Sequence, residues 1–320
     1  MRTVDMEKLG KVAVIGAGTM GSSIALNFAC RGLKVNLYDI SMEALERGYS
    51  SINSYLQVLS ENELIPEEDI SGIIGSICAF TKLEEVSEGA EFVLECAPEK
   101  LELKQDLFRE IELYLDREVI FASNTSSLSP TRIAEKMKFP GRFTAANFWN
   151  PAHLLPLVEI MPGEKTSPHT LQQVKILMER IGKKPVLLTR ETPGFIGNRL
   201  QFALLREALA IVESGIASKE DVDRAVKYGI GRRLGDTGPL ETVDLGGVHV
   251  FTSICEELFP LLDNGRAAPA LLTELRDKGH LGYTTGKGLY EWSSGELERI
   301  QKYRQDTIIG WMKKDMERKE

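Results

Sequence analysis

Residues 11–21 read KVAVIGAGTMG. Val12, Ala13, Val14 and Ile15 form a short apolar run of the kind that lies buried on both faces of a parallel sheet. Gly16, Gly18 and Gly21 follow in the spacing G-x-G-x-x-G, and the pattern then turns helical as far as about Cys30. In such a turn the first glycine permits the tight bend, the second lets the backbone approach a pyrophosphate, and the third lets helix and strand pack closely. The helix would aim free N–H groups and its positive dipole end at the phosphates. A second apolar strand, Val35 to Tyr38, ends in Asp39, about 20 residues past the glycines, where a ribose hydroxyl is bound. Glycine turns occur without nucleotides, and an Asp can simply cap the next element. Strand, turn, helix, strand and acid in this order favour a dinucleotide site, and Asp39 would repel a 2′-phosphate, which favours NAD over NADP.

The alternation continues. Ser41 to Leu59 reads as a helix with Leu45, Ile52, Leu56 and Leu59 inward, and Ile73–Phe80, Glu91–Ala97 and Val119–Ala122 read as strands. Glu99 to Leu115 is an amphipathic helix through Leu103, Leu107, Phe108 and Ile111. Repeated strand–helix units predict an α/β fold with a Rossmann-type doubly wound parallel sheet. Beyond Pro193 no strand is expected until Gly288–Trp292. Helical patterns cover Gly194–Gly215, Ser218–Tyr228, Leu240–Leu262, Ala268–Leu275 and Glu296–Met316. The expected domains are therefore 1–190, binding NAD, and 191–320, a smaller all-α domain for substrate and dimerisation.

A chain of 320 residues suits two domains, and its net charge of −8 without a long basic run argues against nucleic acid or an anionic membrane. Cys30, Cys78, Cys96 and Cys255 are scattered, and no two of the four histidines stand at metal-ligand spacing, so neither a disulfide framework nor a metal is expected. The charged N-terminus carries no signal-peptide pattern and no apolar run is long enough to span a bilayer. A cytoplasmic protein is the expectation.

The stretch AANFWNPAHLLPLVEI, 145–160, sets Asn147, Asn150, His153 and Glu159 among large apolar residues. By itself Glu159 is equally a structural carboxylate, since a buried one needs a partner. Six ordered motifs then carry a resemblance across essentially the whole chain: GAGTMG with Asp39, ECAPEKLELK, SNTSSLS, FWNPAHLLPLVE, TPGFIGNRL and GYTTGKGLYEW. The chain resembles the 3-hydroxyacyl-CoA dehydrogenase family, of which the 3-hydroxybutyryl-CoA enzymes are members. The resemblance implies an NAD-dependent oxidoreductase that converts an L-3-hydroxyacyl group to the 3-keto form, as in fatty acid metabolism. It implies cofactor contacts at Gly16, Gly18, Thr19, Met20, Gly21, Asp39, Ala97, Glu99, Lys104 and Asn124. It implies catalytic-site roles for Ser126, Asn198, Glu159 and the residue at 147. The bland alternatives are turn formers at Ser126 and Asn124, a helix-start acid at Glu99, a solvated Lys104 and a polar helix contact at Asn198.

Position 147 departs from the family pattern. There the family has a histidine that takes the hydroxyl proton while the glutamate orients it, whereas Asn147 offers only a donor and an acceptor. Either the chain lacks one group of an otherwise competent site, or it is a silent NAD-binding protein, or another base acts, with His153 the nearest in sequence. The substrate is open too. A short acyl-CoA comes first on family grounds. A small free 3-hydroxy acid of the carnitine, gulonate or pyridine-carboxylate type follows, because Glu67, Glu68 and Asp69 stand where acyl-CoA members often have basic residues. A homodimer is expected.

Overall fold

The computed structural model describes residues 5–317. The strands are β1 (Lys11–Ile15), β2 (Lys34–Tyr38), β3 (Ile77–Phe80), β4 (Phe92–Glu95), β5 (Ile120–Ser123), β6 (Phe143–Phe148), β7 (Leu157–Pro162) and β8 (Lys184–Leu187). They form one sheet in the order 3-2-1-4-5-6-7-8. All neighbours are parallel except β6 and β7, so the last two strands run against the rest. The expected parallel sheet thus gains an antiparallel hairpin at the Asn150–Pro151 turn.

Between the strands lie α1 (Thr19–Ala29), α2 (Met42–Glu61), α3 (Ile70–Gly75), α4 (Leu83–Ser87), α5 (Leu101–Ile111), α6 (Pro130–Ile133) and α7 (Pro168–Arg180). Ser41 caps α2 by accepting the Ala44 N–H at 3.1 Å, and all four expected inward residues of that helix are buried. The period-2 alternation of β1 decides which layer each side chain joins. Val12 and Val14 enter the core with α1, α2 and α7, while Ala13 and Ile15 enter the opposite core with Phe108 and Ile111 of α5. Within α5, Leu103 is exposed and Lys104 and Gln105 are buried in its place, for a reason that lies at the site.

The second half is helical: α8 (Gly197–Glu213), α9 (Lys219–Ala225), α10 (Gly231–Arg233), α11 (Pro239–Gly246), α12 (Val248–Leu258), α13 (Ala270–Asp277) and α14 (Ser294–Glu317). The expected helix over Leu240–Leu262 is broken at Gly247, whose φ of +91° no helix admits. Gly288–Trp292 makes an isolated bridge, Lys287 with Glu291, and not a strand. The chain divides into two compact units, Gly197–Lys302 forming one, and the chain up to Ile196 with the stretch from Tyr303 onward the other. The far end of α14 therefore belongs with the sheet and not with the helical unit, because Ile309 is buried in the α1 core with Ile308 and Met312 against it. Among the described residues no helix is long and apolar enough to cross a membrane.

Candidate active site

The carboxyl ends of β1, β4, β5 and β6 are laced together. The Cys96 N–H donates to the Ile15 carbonyl and the Asn124 N–H to the Glu95 carbonyl, both at 2.7 Å. Asn124 Oδ1 in turn accepts the Phe148 N–H at 2.8 Å. This edge is where an open α/β sheet binds its ligand.

At β1 the glycines meet their physical demands. A Cβ on Gly16 (φ +105°) would stand 2.9 Å from the Cys96 carbonyl, and one on Gly21 would overlap the Gly16 carbonyl. Gly18 differs, since a Cβ there would meet nothing within 4 Å. It is the N-cap of α1, with no side-chain cap and no acid in the first turn. The N–H groups of Thr19, Met20 and Gly21 precede the first one the helix itself satisfies, Ser22 to the Gly18 carbonyl, and with bare backbone at Gly18 they make a cradle that fits a pyrophosphate. Asp39 accepts the Ala17 N–H at 2.9 Å and the Ile40 N–H at 2.8 Å, so the acid that ends β2 is tied to the glycine turn.

Under the β4 and β5 ends lies a buried ion network. Lys104 Nζ reaches Glu95 Oε1 at 2.6 Å, the Ala97 carbonyl at 3.1 Å and Glu99 Oε2 at 3.4 Å. Glu95 also accepts the Ser123 hydroxyl and the Ala97 N–H, each at 2.5 Å. Burial pushes the Glu95 carboxyl up, and Lys104, Ser123 and Ala97 pull it back. Glu99 Oε1 accepts Thr125 Oγ1 at 2.5 Å, the Ser126 N–H at 3.2 Å, and the Ser127 N–H and hydroxyl at 3.1 and 3.0 Å. Burial raises that carboxyl, but the Thr125 hydrogen bond and the Lys104 charge more than offset it and hold it below the usual range. Glu99 thus fastens the loop that carries Ser126. Lys104, expected beside the cofactor, is fully buried and acts through Glu95, Ala97 and Glu99.

Asn147 and Glu159 are direct partners across the β6–β7 hairpin, with Asn147 Nδ2 donating to Glu159 Oε2 at 3.2 Å. Both are buried. Trp149 Nε1 donates to the same oxygen at 3.0 Å, and the Ile196 N–H to Oε1 at 2.8 Å. Trp149 was not among the sequence candidates, yet it stands just past the end of β6 and two residues past Asn147, where the strand's alternation, carried one residue on, returns to the face of Asn147. The Glu95–Lys104 pair, by contrast, joins a strand end to a helix with no local pattern to mark it.

His153 does not join this group. Ala146 and Phe148 face the α1–α2 core, so Asn147, between them, faces the other side of the sheet. His153 lies on the α1–α2 side, its Nδ1 2.8 Å from Ser23 Oγ and its ring stacked on Tyr55 at 4.1 Å. Its proposed service as an alternative base is corrected on that ground. Asn198 lies half-buried in α8 of the helical unit.

A doubly wound sheet with this glycine turn defines a dinucleotide-binding protein. The NAD binding domain of 3-hydroxyacyl-CoA dehydrogenase matches residues 11–192, and the C-terminal domain of 3-hydroxyacyl-CoA dehydrogenase matches residues 194–292. The chain belongs to the 3-hydroxyacyl-CoA dehydrogenase family. It is 31% identical to a 5-formyl-3-hydroxy-2-methylpyridine 4-carboxylate 5-dehydrogenase of Mesorhizobium japonicum, over 93% of this chain and 96% of that one. It is 35% identical to a 3-hydroxybutyryl-CoA dehydrogenase of Bradyrhizobium diazoefficiens, over 88% of this chain and 95% of that one. A crystal structure of a pyridine-carboxylate 5-dehydrogenase of the same name, described as an NAD+-dependent dismutase, superposes with a TM-score of 0.90. The sequences are 30% identical there, and the match covers 98% of this chain and 100% of that one.

Proposed function

We propose that this chain is an NAD-dependent dehydrogenase of a small free hydroxy acid whose turnover is held down by Asn147. The observation that carries the substrate class is the exposed segment Glu67–Glu68–Asp69, with no basic residue from Leu64 to Gly72, where the resemblance to acyl-CoA members calls for basic residues. Three carboxylates there repel a nucleotide polyphosphate. The pyridine-carboxylate enzyme, named for a substrate with a free carboxylate and no CoA, supports a free acid here too.

In this reading the α1 N-terminus holds the cofactor pyrophosphate and Asp39 the ribose hydroxyls. When bound, NAD supplies the hydride acceptor. Ser126 hydrogen-bonds the substrate's reacting oxygen, on a loop fixed by Glu99. Asn147 gives one N–H to Glu159 and keeps its carbonyl oxygen for the substrate hydroxyl, so it orients that hydroxyl without accepting its proton. General acid–base help of this kind is worth roughly two to four decades of rate.

The helical unit supports a homodimer. Among its described residues only Leu209 is buried, while Leu240, Leu245 and Leu261 are 81, 76 and 79% exposed. Apolar area on that scale marks an interface. Sedimentation showing monomer alone would remove the dimer.

Substrate class is tested by calorimetry on the NAD-loaded protein, which needs no turnover. The free-acid reading expects 3-hydroxybutyrate or carnitine to bind and 3-hydroxybutyryl-CoA to bind at least tenfold more weakly. Tighter binding of the thioester would reverse the assignment.

A further inference from the structure

A cleft of about 880 Å³ opens on the α1–α2 side of the sheet, away from Asn147 and Glu159. Its walls come from α1, α2 and the turn to α3, the loop before β7, the α7–β8 junction and the end of α14. Most of the lining is apolar, with Leu59, Leu64, Ile73 and Met312 among it.

One end is different. Lys183 is only 6% exposed, and its Nζ donates to the Ala152 and Leu155 carbonyls at 2.5 and 3.1 Å. An ammonium has three protons, so one remains after these two bonds. The Arg31 guanidinium lies over the adjoining Gly182, close enough that a Cβ there would stand 2.7 Å from Nη2. Two like charges therefore sit side by side. Burial, and then Arg31, pushes the Lys183 ammonium down to about 7.

The carboxylates of the cleft do not compensate this end. Glu179 is engaged by Lys175 at 2.5 Å, and Asp69 and Asp315 are exposed on the turn before α3 and on α14. His153 adds a polar edge. Ser23 Oγ accepts its backbone N–H and meets Nδ1, which leaves Nε2 as the remaining ring nitrogen.

We propose that this cleft binds a small monocarboxylate with an apolar body, its carboxylate held at Lys183 and Arg31. The anion would relieve the repulsion between the two cations, and the body would take apolar wall out of water. The site is separate from the nucleotide cradle and does not rest on the substrate reading above.

Octanoate is the probe, titrated by calorimetry into the full chain saturated with NAD. One site is expected, weakened at least tenfold by Arg31→Gln and by Leu64→Trp, which narrows the cleft, and unchanged by Ser126→Ala. Lys183→Met should weaken it further, but Lys183 also holds two loop carbonyls, so the exposed Arg31 carries the test; thermal unfolding checks that each variant is folded. Absence of binding up to the solubility of octanoate overturns the proposal. So does binding that both Arg31→Gln and Leu64→Trp leave unchanged, or that Ser126→Ala weakens instead.

Discussion

Replacing Asn147 by histidine tests the central chemistry. Asn147 and Glu159 are register partners, 3.2 Å apart through Nδ2 and Oε2. An imidazole at this position reaches the same carboxylate with one ring N–H and leaves the other nitrogen as a proton acceptor. A positioned base contributes roughly 10²–10⁴ in rate, or about 3–5 kcal/mol at 1.36 kcal/mol per decade. Asn147→His should therefore raise NADH formation at least a hundredfold on the physiological class of hydroxy acid. NAD affinity should stay constant, because the glycine turn and Asp39 are untouched. Adding Glu159→Gln should remove most of the gain, since residues that act as a pair are not additive. No gain on any hydroxy acid or thioester tested, with NAD still bound, would refute the assignment of position 147. A gain indifferent to Glu159 would refute the pairing.

Three further outcomes follow from the same geometry. Asp39→Ala should weaken NAD about tenfold in calorimetry and narrow its preference over NADP, because the carboxylate that repels a 2′-phosphate is gone. Lys104→Met leaves the Glu95 carboxyl in the interior without its cation, a loss of about 3–5 kcal/mol in denaturant unfolding, and Glu95→Gln in the same chain should recover most of it. His153 is pushed by burial, and then by Lys183, from 6.5 to about 4. Between those values the unfolded chain binds more protons, so stability rises with pH across that window and falls by about 3 kcal/mol on acidification to pH 4. His153→Gln should flatten that slope in unfolding measured from pH 4 to 7.

What the sequence made legible was whatever local pattern encodes. The strand–turn–helix of residues 11–29 follows from an apolar run and three glycines, and the inward face of α2 from a helical period. Leu103 was misplaced because a buried ion pair competes with apolar periodicity. Once Glu95 at the end of β4 demands a cation, α5 turns Lys104 inward. His153 and Asn147 stand close in sequence, but strand alternation and the loop beyond β6 put them on opposite sides of the sheet. The break at Gly247 was hidden because both flanking helices are apolar at helical spacing.

The return of α14 bears on how the chain is made. Ile309 fills a place in the first core, yet it leaves the ribosome more than a hundred residues after Ile196. Until Ile309 and its neighbours are made, the α1 side of the sheet lacks that plug, and the nucleotide unit waits with an open, apolar surface while the helical unit is being built. Folding from the N-terminus therefore cannot finish in order. A segment made after the helical unit closes the unit made before it.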